Sequence, residues 1–119
     1  MSTPSLENDL AYAADMLDAA NRAVRLAIGK TKADFDADEL FQLAMLHLIQ
    51  IVGEAAFKVS PILRHQQPKI PWSKIAGTRH RLVHDYTEVD LDVVWDILAL
   101  HLPALISQLK CFVPENLDS

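Results

Sequence analysis

The sequence is poor in cysteine and glycine, with one Cys and three Gly in 119 residues. A single thiol, Cys111, rules out a disulfide within the chain, and a reducing cytoplasm is the compartment this composition suggests. Scarce glycine beside abundant alanine and leucine favours helices over strands. No uninterrupted apolar run reaches the ~20 residues a bilayer requires. The first ten residues lack the basic and hydrophobic regions of a signal peptide. These absences lead to the expectation of a cytoplasmic protein without a membrane partner.

What is present is apolar and acidic. Half the residues are hydrophobic, enough for a core in one domain spanning 1–119. The formal net charge of −5 argues against an indiscriminate coat for nucleic acid. The charge is unevenly spread, however. Residues 64–84 carry five cations (Arg64, Lys69, Lys74, Arg79 and Arg81) and no carboxylate, whereas the rest of the chain holds six basic and sixteen acidic residues. A polyanion can be attracted to that segment and repelled elsewhere, although a solvated basic face is the simpler reading.

Periodicity predicts four helices. Leu6, Leu10, Ala13, Leu17, Ala20, Val24 and Ile28 form one stripe, with Ser5 as N-cap and Gly29 as the stop. Residues 31–36 read as a polar connection. A second helix is expected from Asp36 or Asp38 to about Val59, so apolar on every side that it should be central or partly covered by another subunit. Pro61, Pro68 and Pro71 predict a loop with one short turn. A third helix starts near Pro71 or Ser73, carries Ile75, Leu82 and Val83 inward, and frays near residues 84–87. Asp90 caps a fourth, whose buried face holds Leu91, Val94, Trp95, Leu98, Leu102, Leu105 and Leu109 and which Pro103 should kink. No strand-like alternation competes. The expected architecture is an all-α, up-and-down bundle of four main helices.

Functional side chains concentrate in Gly77-Thr-Arg-His-Arg-Leu-Val-His-Asp-Tyr86. Arg79 offers a permanent cation with a planar fork of donors suited to a phosphodiester. His84 titrates close enough to neutrality to move a proton. RNA carries its own nucleophile, the 2′-hydroxyl, so an arginine and a histidine are a sufficient set for cleavage without a metal or cofactor. On an unbroken helix Arg79 and His84 would diverge by about 140°. They converge only if the helix ends before His84 or a second subunit supplies one of them. His80 and His84 have a metal-ligand spacing, but no HExxH pattern or cysteine accompanies them, so no metal site is assigned. His47 and His101 read as structural histidines, His65 as a loop residue, Cys111 as packing, and Trp72 and Trp95 as core anchors.

Arg79-x4-His84-x-Tyr86 resembles the Arg-x(4–6)-His motif of HEPN proteins, in the His-x-Tyr form of HepT toxins. The flanking segments agree: Trp72-Ser-Lys-Ile75 before the motif, Val89-Asp-Leu-Asp-Val-Val-Trp95 after it, Ile51-Val-Gly-Glu-Ala-Ala56 on the central helix, and Leu102-Pro-Ala-Leu105 near the end. The residue after the motif arginine is commonly asparagine in that family and is His80 here. The resemblance implies a toxin ribonuclease acting as a homodimer, with Arg79 and His84 catalytic and His80 and Arg81 as secondary RNA-binding or catalytic residues. It also implies a partner, an MNT-type nucleotidyltransferase antitoxin that transfers AMP to Tyr86. The added phosphate and base would compete with RNA by charge and volume. Gly53 is expected to allow close helix approach, and Glu54 to pair with Arg79 or Arg81 and orient it from behind. The alternative is a non-catalytic helical module that binds RNA or nucleotide or serves as a scaffold for the nucleotidyltransferase, favoured by the acidic net charge and by His80.

Overall fold

A computed structural model describes residues 5–84 and 88–115, and the side chains of all but residues 83–88 among these. The first helix, α1 (Leu6–Leu26), is capped by Ser5, whose Oγ accepts the Asn8 N–H at 3.1 Å. Its buried face runs through Ala13, Ala14, Met16, Leu17, Ala19, Ala20 and Ala23. This face is rich in alanine, so a neighbouring helix can approach closely. Ile28, expected to continue the stripe, lies beyond the helix and is 74% exposed. Gly29 follows with φ +76°, reversing the chain in a conformation that costs glycine little.

The expected polar connection is a short helix, α2 (Lys32–Ala37). The reason is a capping box: Thr31 N–H donates to Asp34 Oδ2 at 2.9 Å and Asp34 N–H donates to Thr31 Oγ1 at 3.1 Å. Phe35 projects from α2 into the core, 5.3 Å from the Phe41 ring and 5.5 Å from that of Trp95. Lys32 bridges Asp36 and Asp92, pinning α2 to the start of the last helix.

The central helix is α3 (Glu39–Lys58), capped by Asp38, whose Oδ1 accepts the Phe41 N–H. It packs most extensively on α1 and on the helix that carries the motif. Met45, Leu48, Ile49, Val52, Ala55 and Ala56 are buried, whereas Leu40, Leu43 and Phe57 are more than half exposed. The segment expected as a loop contains α4 (Pro61–Gln66), started by Ser60 and by Pro61 at its first turn. Asp9, buried on α1, accepts both Ser60 N–H (2.8 Å) and Ser60 Oγ–H (2.5 Å), tying α4 to the bundle.

After α5 (Trp72–Arg81) the chain forms a small antiparallel ladder, β1 (Val83–His84) with β2 (Glu88–Val89), where fraying was expected. Val83 pairs with Val89 and His84 with Glu88, and Asp90 N–H donates to Leu82 O at 2.9 Å. Asp90 then caps α6 (Leu91–Asp96) by accepting the Val93 N–H. A π-helical turn, Ile97–His101, joins α6 to α7 (Leu102–Lys110). Pro103 lacks a backbone N–H to donate into the preceding turn, and the helix widens there where a kink was expected. Leu98, Leu102, Leu105 and Leu109 are buried, as the periodicity required.

The result is an all-α protein of four main helices with two short ones between them. His47, His101 and Cys111, expected in packing roles, are all exposed. His65 sits on α4 rather than in a loop and is exposed too. By length and composition the helical stretches Glu39–Lys58 and Leu91–Lys110 are apolar enough to cross a membrane, closer to that limit than the search for uninterrupted runs suggested. In the fold, the buried faces of both contribute to the shared core.

Candidate active site on the central helix and the motif helix

α5 is fixed at its start by Trp72, which is buried and donates its indole N–H to Gln67 O at 2.9 Å. Trp72 is thus the anchor its sequence position promised. Trp95 is half-buried, against Phe35. Further along, α5 lies against α3 at Gly53. A Cβ at residue 53 would stand 2.9 Å from Thr78 Oγ1, 3.1 Å from Arg79 Cγ and 3.3 Å from Ile75 O. The close approach expected of this glycine is therefore real, and it is made with the motif helix. Thr78 Oγ1–H donates to Ile75 O at 2.6 Å, which keeps the hydroxyl satisfied although the residue is buried.

Arg79 is gripped on three sides. Its Nε–H donates to Ala76 O at 2.9 Å, its Nη1 lies 3.5 Å from Glu54 Oε1, and its Cζ sits 3.8 Å from the centre of the Phe57 ring. The side chain is 20% exposed, so the guanidinium is sheltered yet reachable. Glu54 pairs with Arg79, the first of the two partners considered from sequence. It does so from an exposed position (54%), not from the apolar interior expected of so hydrophobic a helix. Phe57 was missed. It stands three residues after Glu54 on α3, a spacing that places both on one face, but no motif or stripe singled it out.

α5 ends at Arg81, and Leu82, fully buried, caps it. The geometric condition set by the sequence is thereby met: the helix stops before His84, whose backbone enters the ladder opposite Glu88. The His84 side chain and the whole of Tyr86 lie outside the described residues, so the two expected partners of Arg79 have no measured distances. His80 is exposed and cannot share a helical face with His84, because the helix has ended. Arg81, about 200° around the helix from Arg79, faces a different feature. It lines a cleft of about 200 Å³ between α5 and the last helix, with Lys74, Thr78, Asp96 and His101. The basic segment is thus divided between two sides of α5.

A family model described as Ribonuclease HepT-like matches residues 16–112, most of the chain. The chain belongs to the HepT-like ribonuclease family. Relatives of this HepT-like protein agree. A protein of Caldanaerobacter subterraneus subsp. tengcongensis, named as a candidate RNase, is 32% identical over 77 residues, covering 65% of this chain and 69% of its own. A probable ribonuclease HepT of Thermococcus cleftensis is 33% identical over 72 residues, covering 60% and 66%. A candidate RNase of Methanocaldococcus jannaschii is 24% identical over 100 residues, covering 84% and 92%. No solved structure matches the chain significantly.

Proposed function

We propose that this HepT-like protein is a toxin endoribonuclease that cleaves RNA without a metal, using Arg79 and His84. The observation that carries the reading is the end of α5 two residues beyond Arg79, which frees the backbone at His84 from the helical phase that would turn the two groups apart. In the proposed reaction a histidine takes the proton of the 2′-hydroxyl as its oxygen bonds to phosphorus. The bond from phosphorus to the 5′-oxygen breaks, and that oxygen receives a proton from a protonated histidine. The products are a 2′,3′-cyclic phosphate and a 5′-hydroxyl. Arg79 stabilises the charge that builds on the phosphoryl oxygens. A homodimer would supply two Arg/His pairs, one histidine as base and the other as acid. His80 and Arg81 are exposed and serve in this reading as further contacts to RNA.

The same reading assigns the off-switch to AMP transfer onto Tyr86 by a nucleotidyltransferase antitoxin. The transferred group carries a phosphate that would seek the Arg79 guanidinium and a base that would fill the space beside it. Incubation of the purified chain with total RNA in EDTA, beside His84→Ala, tests the core of the proposal. The wild type is expected to cleave and the variant to lose at least about 100-fold in rate, the scale of a removed acid–base group. Equal cleavage by both, or products lacking the cyclic phosphate, would reject the mechanism. Intact-mass measurement on the same sample reads any AMP carried on Tyr86.

One observation favours a second reading, a binding module without catalysis. Glu54 places a carboxylate beside the arginine, which weakens the attraction for phosphate. Under that reading Arg79→Ala weakens RNA binding while His84→Ala changes nothing.

A further inference from the structure

Phe57 is a large hydrophobic side chain on the central helix, and more than half of it faces solvent. Burial therefore accounts for little of its place there. Its ring meets Arg79, whose guanidinium carbon lies 3.8 Å from the ring centre, well inside the range of a cation–π interaction. The other two holds on Arg79 are in-plane: Nε to Ala76 O and Nη1 to Glu54 Oε1. In-plane bonds leave the guanidinium free to tilt about the line joining them. A ring whose centre lies 3.8 Å from Cζ restricts that tilt.

We propose that Phe57 is a positioning residue for Arg79, fixing the plane of the guanidinium so that its outer edge, including Nη2, meets the scissile phosphate. The inference rests on the ribonuclease reading above for its consequence, but the geometry it asserts exists without RNA. Fixing the plane before substrate arrives matters because a bidentate contact to a phosphate is directional, and a group already oriented need not be ordered in the transition state. The contact should therefore act on the chemical step more than on binding. The bond from Nε–H to Ala76 O occupies the Nε edge of the fork, which leaves the Nη1/Nη2 end, with Nη1 also 3.5 Å from Glu54 Oε1, to meet the substrate.

The test combines a resonance measurement with kinetics on Phe57→Leu and Phe57→Trp. In 15N-labelled protein without RNA, the Arg79 Nε–H signal, assigned by its loss in Arg79→Lys, should be shifted upfield by the ring. That shift should disappear in Phe57→Leu and return in Phe57→Trp. With RNA in EDTA, Phe57→Leu should lower kcat about three- to tenfold, the scale of a lost cation–π contact with some loss of alignment. KM should stay within about twofold, and Phe57→Trp should restore kcat. An Arg79 signal unchanged in Phe57→Leu overturns the proposal whatever the kinetics show. So does a loss of activity that appears in KM, that tryptophan does not rescue, or that accompanies a change in molecular mass by light scattering. If the wild type cleaves no RNA, the ribonuclease reading fails, and the resonance arm still decides whether Phe57 orients Arg79.

Discussion

The central helix has two seams, and they are built differently. Against α1, whose buried face is made largely of alanine, it sets Leu48 and Ala55, and the buried side chains there are almost all apolar. Against α5 it presents Gly53, and the motif helix answers with Thr78 and the stem of Arg79, its buried residues being Trp72, Ala76 and Thr78. The first seam is a core that holds the protein together. The second is a mounting that sets the height and angle of one arginine. Stability and positioning are therefore separable, because they use different faces of the same rod.

Three changes would break or sharpen that contrast. Met45→Ala acts on the core beside the first seam, at a residue with no exposure. It should cost about 2–5 kcal/mol, the range for truncating a buried side chain of this size. In urea denaturation the midpoint should fall sharply, while any RNA cleavage by the remaining folded protein keeps its specific rate. Gly53→Ala acts on the second seam. A helical alanine gains up to about 1 kcal/mol over glycine, but the added carbon meets Thr78 Oγ1 at 2.9 Å and a backbone oxygen at 3.3 Å. Displacing α5 to relieve this should cost about 1–3 kcal/mol. The melting temperature is expected to drop modestly and cleavage to drop more than stability does; a variant more stable than wild type and fully active would show that the seam is looser than its distances indicate.

The smallest effect belongs to neither seam. Asp34 has its pKa lowered from 3.8, chiefly by the hydrogen bond from the Thr31 backbone, and Lys32 has its pKa raised from 10.5 by Asp36 and Asp92. The Asp34 contribution is present above 3.8 and lost as pH falls through its lower folded value. The Lys32 contribution is present below 10.5 and lost as pH rises through its higher folded value. Asp34 is exposed and Lys32 partly so, and the change should be slight and weakened further by salt. Asp34→Asn, followed by urea titration at several acidic pH values, should flatten the acid limb while lowering the neutral midpoint only slightly.

Much of this architecture was legible in the sequence because its signals are local. Ser5, Asp38 and Asp90 cap helices where short polar side chains precede apolar periodicity, and Pro103 announced an irregularity that falls at the π turn Ile97–His101 just before it. The two short helices were less legible. Each is too short to show a period, and each depends on a cap, Thr31 with Asp34 or Ser60 before Pro61, within a segment that otherwise reads as polar or proline-broken. At the site, Arg79, Gly53 and Glu54 could be named because their residue types are unusual in their settings. Phe57 could not, since an aromatic on an apolar helix looks like core until the neighbouring helix is in place. The exposure of His47, Cys111 and Glu54 was hidden for the same reason: periodicity tells which residues share a face, and tertiary packing decides which face is covered.

The π turn between α6 and α7 has a consequence for how rotation travels through the molecule. A continuous α-helix transmits its angular phase, so a twist at one end reappears at the other. Here the N-terminal arm follows directly from the ladder that receives His84 and leans on α2 and α3, while the C-terminal arm lies along α1. The bond from Leu102 N–H to Ile97 O spans one residue more than an α-helical bond, and that extra residue is slack between the arms. Substitutions that re-seat α7 on α1 are therefore expected to rotate α6, and the ladder before it, less than they would through a continuous α-helix.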